Sequence, residues 1–205
     1  MRYLLQNITL LAILGALQLT VQAAPAKQDR VDLRSIASAR QASVKQLIDI
    51  VESASRKPKL LWDDSIHMNA AISLLGSYRA TEAVPLLIRL IDVETASLNS
   101  SLTPLNNFPS CNALIQIGNP SVSAILDALK EEQEVSERKL RLYAYIIRSI
   151  DGTDVGSYRL QLAKKGVTGT QKINTLNLID VYNRNESGIQ VWKAIMEGDS
   201  KPMDQ

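Results

Sequence analysis

The sequence predicts an all-α fold of stacked helical hairpins, and two observations predict it. Ala70 to Gly76 has the pattern of an apolar helix that ends at a glycine, and Thr81 to Ile91 has the pattern of a second apolar helix. A related pair follows about forty residues later, in Ala113 to Gly118 and Pro120 to Leu129. Hairpins of this size cannot bury their apolar faces alone, so the repeat predicts an α-solenoid of about three to four hairpins.

The composition fits a helical core and gives no sign of a strongly charged partner. Apolar residues make up 45% of the 205 residues and aromatic residues only 4%, so we expect a core of Leu, Ile, Val and Ala. The 23 basic and 21 acidic residues leave a formal charge of +2. A charge so close to neutral predicts no strong field for nucleic acid or for a membrane surface.

The first residues have the pattern of a secretion signal. Arg2 precedes the apolar run Ile8 to Val21, and Val21-Gln22-Ala23 supplies small residues where signal peptidase reads the chain. We therefore expect residues 1–23 to be a cleaved signal peptide, residues 24–33 a flexible tail, and the mature protein to be periplasmic or secreted without membrane insertion. The apolar run is shorter than the ~20 residues that span a bilayer, and an uncleaved N-terminal anchor is the alternative.

The only cysteine is Cys111, so an internal disulfide is excluded. Stability must then come from packed apolar area, which a chain of this length can supply. Cys111 lies just before the apolar residues of a predicted helix, where we expect it to act as a small apolar residue on a buried face. A reactive thiol or an intermolecular bridge is the alternative.

The first two helices are predicted from apolar spacing and from capping residues. Apolar residues recur at three- and four-residue steps from Arg34 to Val51, which predicts a long helix that caps the N-terminal end of the stack. Asp63 or Asp64 can cap the next helix, and Gly76 is placed for a left-handed C-cap at its end.

The partner helix of the first hairpin is predicted from Thr81 to Val93. Thr81 is the natural N-cap, and Pro85 falls in the first turn, where its missing N–H costs nothing. The buried stripe of this helix is predicted to be Val84, Leu87, Ile88 and Ile91.

An insertion separates the first hairpin from the second. Glu94 to Phe108 is rich in Asn, Ser and Pro, and such an insertion in a solenoid often projects from the binding face. A tolerated insert without function is the alternative. The second hairpin follows as Ser110 to Ile117 and Ser121 to Glu131, with Gly118-Asn119-Pro120 between its helices.

Two further hairpins complete the predicted repeat domain, residues 34–197, before a disordered tail at 198–205. The third turns at Asp151-Gly152-Thr153, and its first helix carries Leu140, Leu142, Tyr143, Ile146, Ile147 and Ile150. Its second helix is marked by Val155, Tyr158, Leu162 and Ala163. A weaker fourth pair is marked by Ile173, Leu176, Ile179 and Tyr182, then by Ile189, Trp192, Ile195 and Met196. Asn174, Asn177 and Asp180 would give this last pair a polar outer face.

Three segments, Ala71 to Gly76, Glu82 to Leu87 and Ala113 to Val122, carry a shared pattern, and Tyr145 to Gly152 carries a weaker version. They resemble the HEAT-like repeats of bacterial proteins, including the class first described in phycobilisome lyases. The likeness covers residues 63 to about 163. It implies an armadillo-type, right-handed stack whose second helices line a concave, protein-binding surface.

Catalytic and metal-binding patterns are weak in this chain. The only histidine, His67, shares a helix face with Asp63, and this pair could hold a metal, although a helix-surface ion pair is the better interpretation. With one His and one Cys, a zinc site of the usual composition is excluded. Gly152-Thr153-Asp154-Val155-Gly156 lacks a preceding strand and so is not a dinucleotide loop. We expect no catalytic residue, metal or cofactor.

A binding surface can be predicted from helical phase. Inward-pointing Val84, Leu87 and Ile91 would turn other residues of their helix outward, and the next second helix repeats the arrangement. The outward residues are Pro85, Arg89 and Asp92, then Ser123, Asp127 and Lys130. These would line a groove of mixed charge that grips an extended peptide or a protein edge; a merely solvated face is the alternative. Trp192 would be an anchor if exposed, but its helical spacing with Ile189 and Ile195 favours the core.

Three functions are consistent with these features. The favoured one is a non-catalytic, exported scaffold that binds another protein. The second is an enzyme of lyase type, by analogy with chromophore-attaching relatives, against which the export signal and the lack of a reactive His/Cys set argue. The third is a structural component of an envelope assembly.

Overall fold

The computed structural model describes residues 33–57, 61–95 and 107–199. The predicted signal peptide, nearly all of the predicted tail at 24–33, most of the insertion and residues 200–205 lie outside the described residues. The chain divides into two compact units, residues 1–38 and 39–205. The described part of the first unit is the exposed helical stretch from Leu33 to Ser38. The rest of the description concerns the second unit.

Every regular element of the described residues is helical, which confirms the all-α prediction for that part of the chain. None of these helices is long and apolar enough to cross a membrane. In chain order the helices are α1 (Leu33–Ser55), α2 (Trp62–Ser77), a 3-10 turn (Thr81–Ala83), α3 (Val84–Arg89), α4 (Pro109–Ile117), α5 (Asn119–Glu131), α6 (Glu137–Lys165), α7 (Gly169–Asn183) and α8 (Gly188–Asp199). Gly152 divides α6 into two arms, residues 137–151 and 153–165.

The helices contact one another in an alternating order. Helix α2 packs on α4 and α4 on α6, while α3 packs on α5 and α5 on α6. Helix α6 also contacts α7 and α8, and α5 contacts α7. One continuous core of Leu, Ile, Val and Ala runs through these contacts. The predicted stripe of the first hairpin, Val84, Leu87, Ile88 and Ile91, is buried in it as expected.

The predicted left-handed C-cap at Gly76 is wrong. Helix α2 continues to Ser77, and the left-handed residue is Arg79, with φ of 49°. Gly76 serves a different purpose, because a Cβ there would lie 2.8 Å from the Cα of Ala113. The glycine therefore lets α4 approach α2 closely.

The partner helix of the first hairpin is shorter than predicted. Thr81 begins a 3-10 turn rather than capping an α-helix, and α3 itself runs only from Val84 to Arg89. Pro85 lies in the first turn of α3, as predicted. Helix α2 likewise has no side-chain cap; Asp63 and Asp64 instead lie in its first turn, where negative charge stabilises the helix dipole.

The two ends of the insertion lie side by side. The backbone N–H of Thr95 donates to the carbonyl of Asn107 over 3.0 Å, and the Asn107 amide donates to Glu94 over 3.1 Å. Phe108 then enters the core fully buried. The chain thus leaves and re-enters the core at one place.

The polar outer face predicted for the fourth hairpin is partly wrong, because Asn174 is buried. Its amide donates to the carbonyls of Glu132 and Leu129, over 2.9 and 3.4 Å, and so satisfies the end of α5. Ile173 is exposed instead. Trp192 is half-buried against the core, which agrees with the packing interpretation rather than with an exposed anchor.

A half-buried ionic network joins α6 to the segment before α8. Arg141 donates to Glu186 over 2.6 Å and to Glu137 over 2.7 Å, and Arg184 reaches Glu137 over 3.1 Å. The side chains of Arg141 and Glu186 are only 14% and 17% exposed, so removing one partner would leave a poorly solvated charge.

Candidate binding surface

A groove lies between α5 and the C-terminal arm of α6. It has a volume of about 270 Å³. Its lining is Ser123, Leu126, Asp127, Lys130, Arg159, Leu162 and Ala163. We refer to it as the α5–α6 groove.

Three of the six predicted surface residues line this groove. Ser123, Asp127 and Lys130 are exposed on one face of α5, because their spacing of three and four places them on the side away from the buried residues of that helix. Lys130 donates to Asp127 over 2.7 Å. This pair is exposed to solvent, so it contributes little to the stability of the protein and mainly determines the local charge of the groove.

The other three predicted residues do not line the α5–α6 groove. Pro85 and Arg89 are exposed on α3, and Asp92 is half-buried. The guanidinium of Arg89 lies 3.6 Å from the carboxylate of Glu52, which draws Arg89 toward α1. The structure therefore brings together the predicted residues of the second hairpin and not those of the first.

The most exposed apolar residues of the third hairpin form a stripe that the predicted surface omitted. Val155, Tyr158 and Leu162 are 50%, 70% and 54% exposed. Their spacing of three and four residues places them on one face of the C-terminal arm of α6. We call these three residues the apolar stripe; at Leu162 it enters the α5–α6 groove.

The stripe faces outward because the opposite face of the arm is selected by packing on α7. Gly152 has φ of 69° and ψ of −179°, and this non-helical conformation changes the direction of the helix. The hydroxyl of Tyr182, on α7, donates to the carbonyls of Gly152 and Thr153 over 2.7 and 3.1 Å. Gly156 lies directly beneath the same ring. With Gly156 and Leu160 turned to the core, the stripe must face the other way.

Arg159 connects the groove to a buried charge. Its Nε lies 3.3 Å from a carboxylate oxygen of Asp151, whose side chain is only 3% exposed, and its Nη2 donates to the Asn119 side chain over 3.2 Å. The contact with Asp151 is an ion pair without hydrogen-bond geometry. Arg159 is therefore partly committed to Asp151, and less of its charge is available to a ligand.

A second groove lies between α1 and α2, with a volume of about 610 Å³. Leu47, Ile50 and Leu74 contribute to its apolar floor, and Asp64 and His67 contribute to its rim. Lys57 already pairs with Asp64 over 2.7 Å. Within residues 33–57, 61–95 and 107–199, no three His, Cys, Asp or Glu side chains are placed to share a metal ion.

Cys111 is fully buried, as predicted. Burial without compensating contacts raises the pKa of its thiol to about 12, so the thiolate is not formed near neutral pH. Burial raises the pKa of Tyr143 in the same way. Neither side chain is available to a nucleophilic or acid–base reaction at the surface.

No protein-family model, curated protein or solved structure matches the chain.

Proposed function

We propose that the chain is a non-catalytic protein-binding scaffold built on HEAT-like stacked hairpins. The observation that carries the proposal is the apolar stripe, which places three large apolar side chains in water beside a groove of mixed charge. Apolar groups exposed together beside a groove are typical of an interaction site. The α5–α6 groove supplies polar groups that can fix the register of the bound segment.

The solenoid arrangement is part of this proposal. Its support is the alternating order of contacts, in which α2 packs on α4, α3 packs on α5, and α4 and α5 both pack on α6. In such a stack, α5 and the C-terminal arm of α6 are consecutive second helices, and the right-handed form would turn them toward a concave side.

Photo-crosslinking in cells tests the function. A benzoyl-phenylalanine at position 158 or 127 should capture the same protein, because both positions border one groove. The same group at Asn177, an exposed polar position on α7, is the matched control and should not capture it. Products that are absent at 158, or equally abundant at 177, would contradict the proposal.

Export through residues 1–23 is the second half of the proposal. The mass of the protein recovered from the exporting cell should correspond to a chain that starts at Ala24. A chain that keeps its first residues and stays with the membrane fraction would support the anchor alternative instead.

A further inference from the structure

A buried carboxylate lies at the kink of α6, between arginines of both arms. Asp151 is the last residue of the N-terminal arm, and its side chain is only 3% exposed. Arg159, on the C-terminal arm, places its Nε 3.3 Å from Oδ2 of Asp151. This oxygen accepts no hydrogen bond from the residues that the structure describes. Its charge is therefore paired, while its hydrogen-bonding capacity stays unused in a place where such capacity is costly to waste.

The second arginine is Arg148, one turn before Asp151 on the same face of the N-terminal arm. Its Nη1 donates to the carbonyl of Glu186 over 3.2 Å. Its Nε and Nη2 are buried and have no hydrogen-bond acceptor within the described part of the chain. These two donors form one edge of the guanidinium, and such an edge is suited to holding both oxygens of a carboxylate.

The ring of Tyr182 brings Arg148 and Asp151 to one place. The guanidinium of Arg148 lies over this ring, 4.6 Å from its centroid. The hydroxyl of the same ring donates to the carbonyl of Gly152, the residue that follows Asp151, over 2.7 Å. Arg148 and Asp151 therefore flank one side chain, and a change of side-chain rotamer would bring them together without moving the helix.

We propose that Asp151 exchanges between Arg159 and Arg148, and that this exchange controls whether the charge of Arg159 is available to the α5–α6 groove. Each state leaves one arginine without the carboxylate, so neither state is strongly preferred. With Asp151 on Arg148, Arg159 keeps only its bond to Asn119 and offers its charge to the groove that it lines. This inference rests on the proposed function and adds a means of regulating that same site.

Nuclear magnetic resonance of the arginine Nε–H groups tests the exchange in the purified protein. The signals of Arg148 and Arg159 are assigned with Arg148→Lys and Arg159→Lys. Arg159→Gln should slow the exchange of the Arg148 Nε proton with water at least about threefold, because Asp151 then stays with Arg148. Arg56→Gln is the control, since it removes an exposed arginine of α1, and it should leave both signals unchanged.

The availability of Arg159 is measured by its reaction with phenylglyoxal, an arginine-specific reagent, followed by mass spectrometry of the peptides. Arg148→Gln should slow this reaction at least about threefold, because Asp151 then stays with Arg159, and Asp151→Asn should accelerate it. Arg148 does not line the α5–α6 groove, so its effect on Arg159 must pass through the carboxylate. Circular dichroism and melting confirm that each variant is folded; if Asp151→Asn unfolds, the result for Arg148→Gln decides.

The inference is overturned if Arg159→Gln leaves the Arg148 signal unchanged, which would mean that water and not Asp151 satisfies Arg148. It is also overturned if Arg148→Gln leaves the reaction of Arg159 unchanged. Both measurements are made without a partner, and the capture from position 158 involves neither arginine. Failure of the exchange would therefore leave the proposed function standing, and failure of the capture would refute the function without refuting the exchange.

Discussion

Helix α5 and the C-terminal arm of α6 are neighbouring helices that differ in whether their large apolar residues are buried or exposed. Helix α5 buries Val122, Ile125 and Leu129 and presents polar residues to water. The arm of α6 buries Gly156 and Leu160 and exposes Val155, Tyr158 and Leu162. Apolarity alone therefore does not decide which face of a helix is buried. In the arm, the close packing of Gly156 against Tyr182 decides it.

The largest loss of stability is expected from truncation of Leu160, the buried leucine of the arm. Leu160→Ala should lower the free energy of unfolding by about 2–5 kcal/mol, because it removes fully buried methyl groups and leaves a cavity. Leu162→Ala, two residues away and 54% exposed, should change it by less than about 0.5 kcal/mol. Urea unfolding followed by circular dichroism measures both. Equal losses would show that Leu162 packs in solution.

Gly156→Ala tests whether close packing selects the buried face. A Cβ at this position would lie 2.9 Å from Cζ of Tyr182, so either the ring or the arm must move. We expect a loss of about 1–3 kcal/mol, larger than the gain from the better helix propensity of alanine. Gly166→Ala is the control, since the nearest atom to its Cβ would be 3.9 Å away. A Gly156→Ala protein as stable as the original would refute this explanation.

Tyr182→Phe isolates the hydroxyl that holds the kink at Gly152. It removes the single hydroxyl proton that is shared between two backbone carbonyls, at 2.7 and 3.1 Å from the oxygen, and leaves the ring in place. We expect a loss of about 1 kcal/mol in unfolding free energy. Tyr158→Phe, which changes a 70% exposed ring, should have no measurable effect on stability. Thermal melting of the two variants together provides the test, and matching melting temperatures would contradict the role given to the kink.

The smallest effect on stability is expected in the N-terminal arm of α6, residues 137–151. This arm is held by ion pairs rather than by a close glycine contact. Hydrogen bonds from Arg141 and then Arg184 hold the pKa of Glu137 below its ordinary value of 4.5. A lowered folded-state pKa stabilises the protein above the unfolded-state value, and this contribution disappears as the pH falls below 4.5 through the folded-state pKa.

Glu137→Gln should therefore cost less than about 1 kcal/mol at neutral pH, since the side chain is 61% exposed, and should flatten the acid side of the stability profile. Glu131→Gln, an exposed carboxylate at the end of α5, serves as the control. Unfolding measured in urea between pH 3 and 7 compares them, with roughly neutral pH as the reference. An unchanged acid slope in Glu137→Gln would argue against the network.

The helical class and most of the core could be predicted because both follow from local spacing. The stripe of the first hairpin illustrates this, since Val84, Leu87 and Ile91 are buried where the three- and four-residue rhythm places them. The exposure of Ser123, Asp127 and Lys130 on α5 could be predicted for the same reason. These residues are polar, and their helical phase also places them on the outer face. The same spacing therefore predicts which residues of α5 are buried and which are exposed.

The functions of the glycines and the exposure of the apolar stripe could not be predicted from local spacing. Gly76 has the position of a cap in the sequence, but its use depends on Ala113, a residue far along the chain. Gly156 depends on Tyr182 in the same way. The burial of the Asn174 amide is explained only by the backbone carbonyl at the end of α5 that it pairs with. Each of these features depends on a contact between distant residues, which helical periodicity does not encode.

The single buried thiol of Cys111 gives the protein a practical property. Because this side chain is enclosed and stays protonated near neutral pH, a maleimide or iodoacetamide dye should react with it only after unfolding. Any cysteine introduced on the surface would then be the one reactive thiol of the native protein. Fluorophores or spin labels could be attached at chosen positions without first removing the natural cysteine, which would let distances between the helices be measured directly.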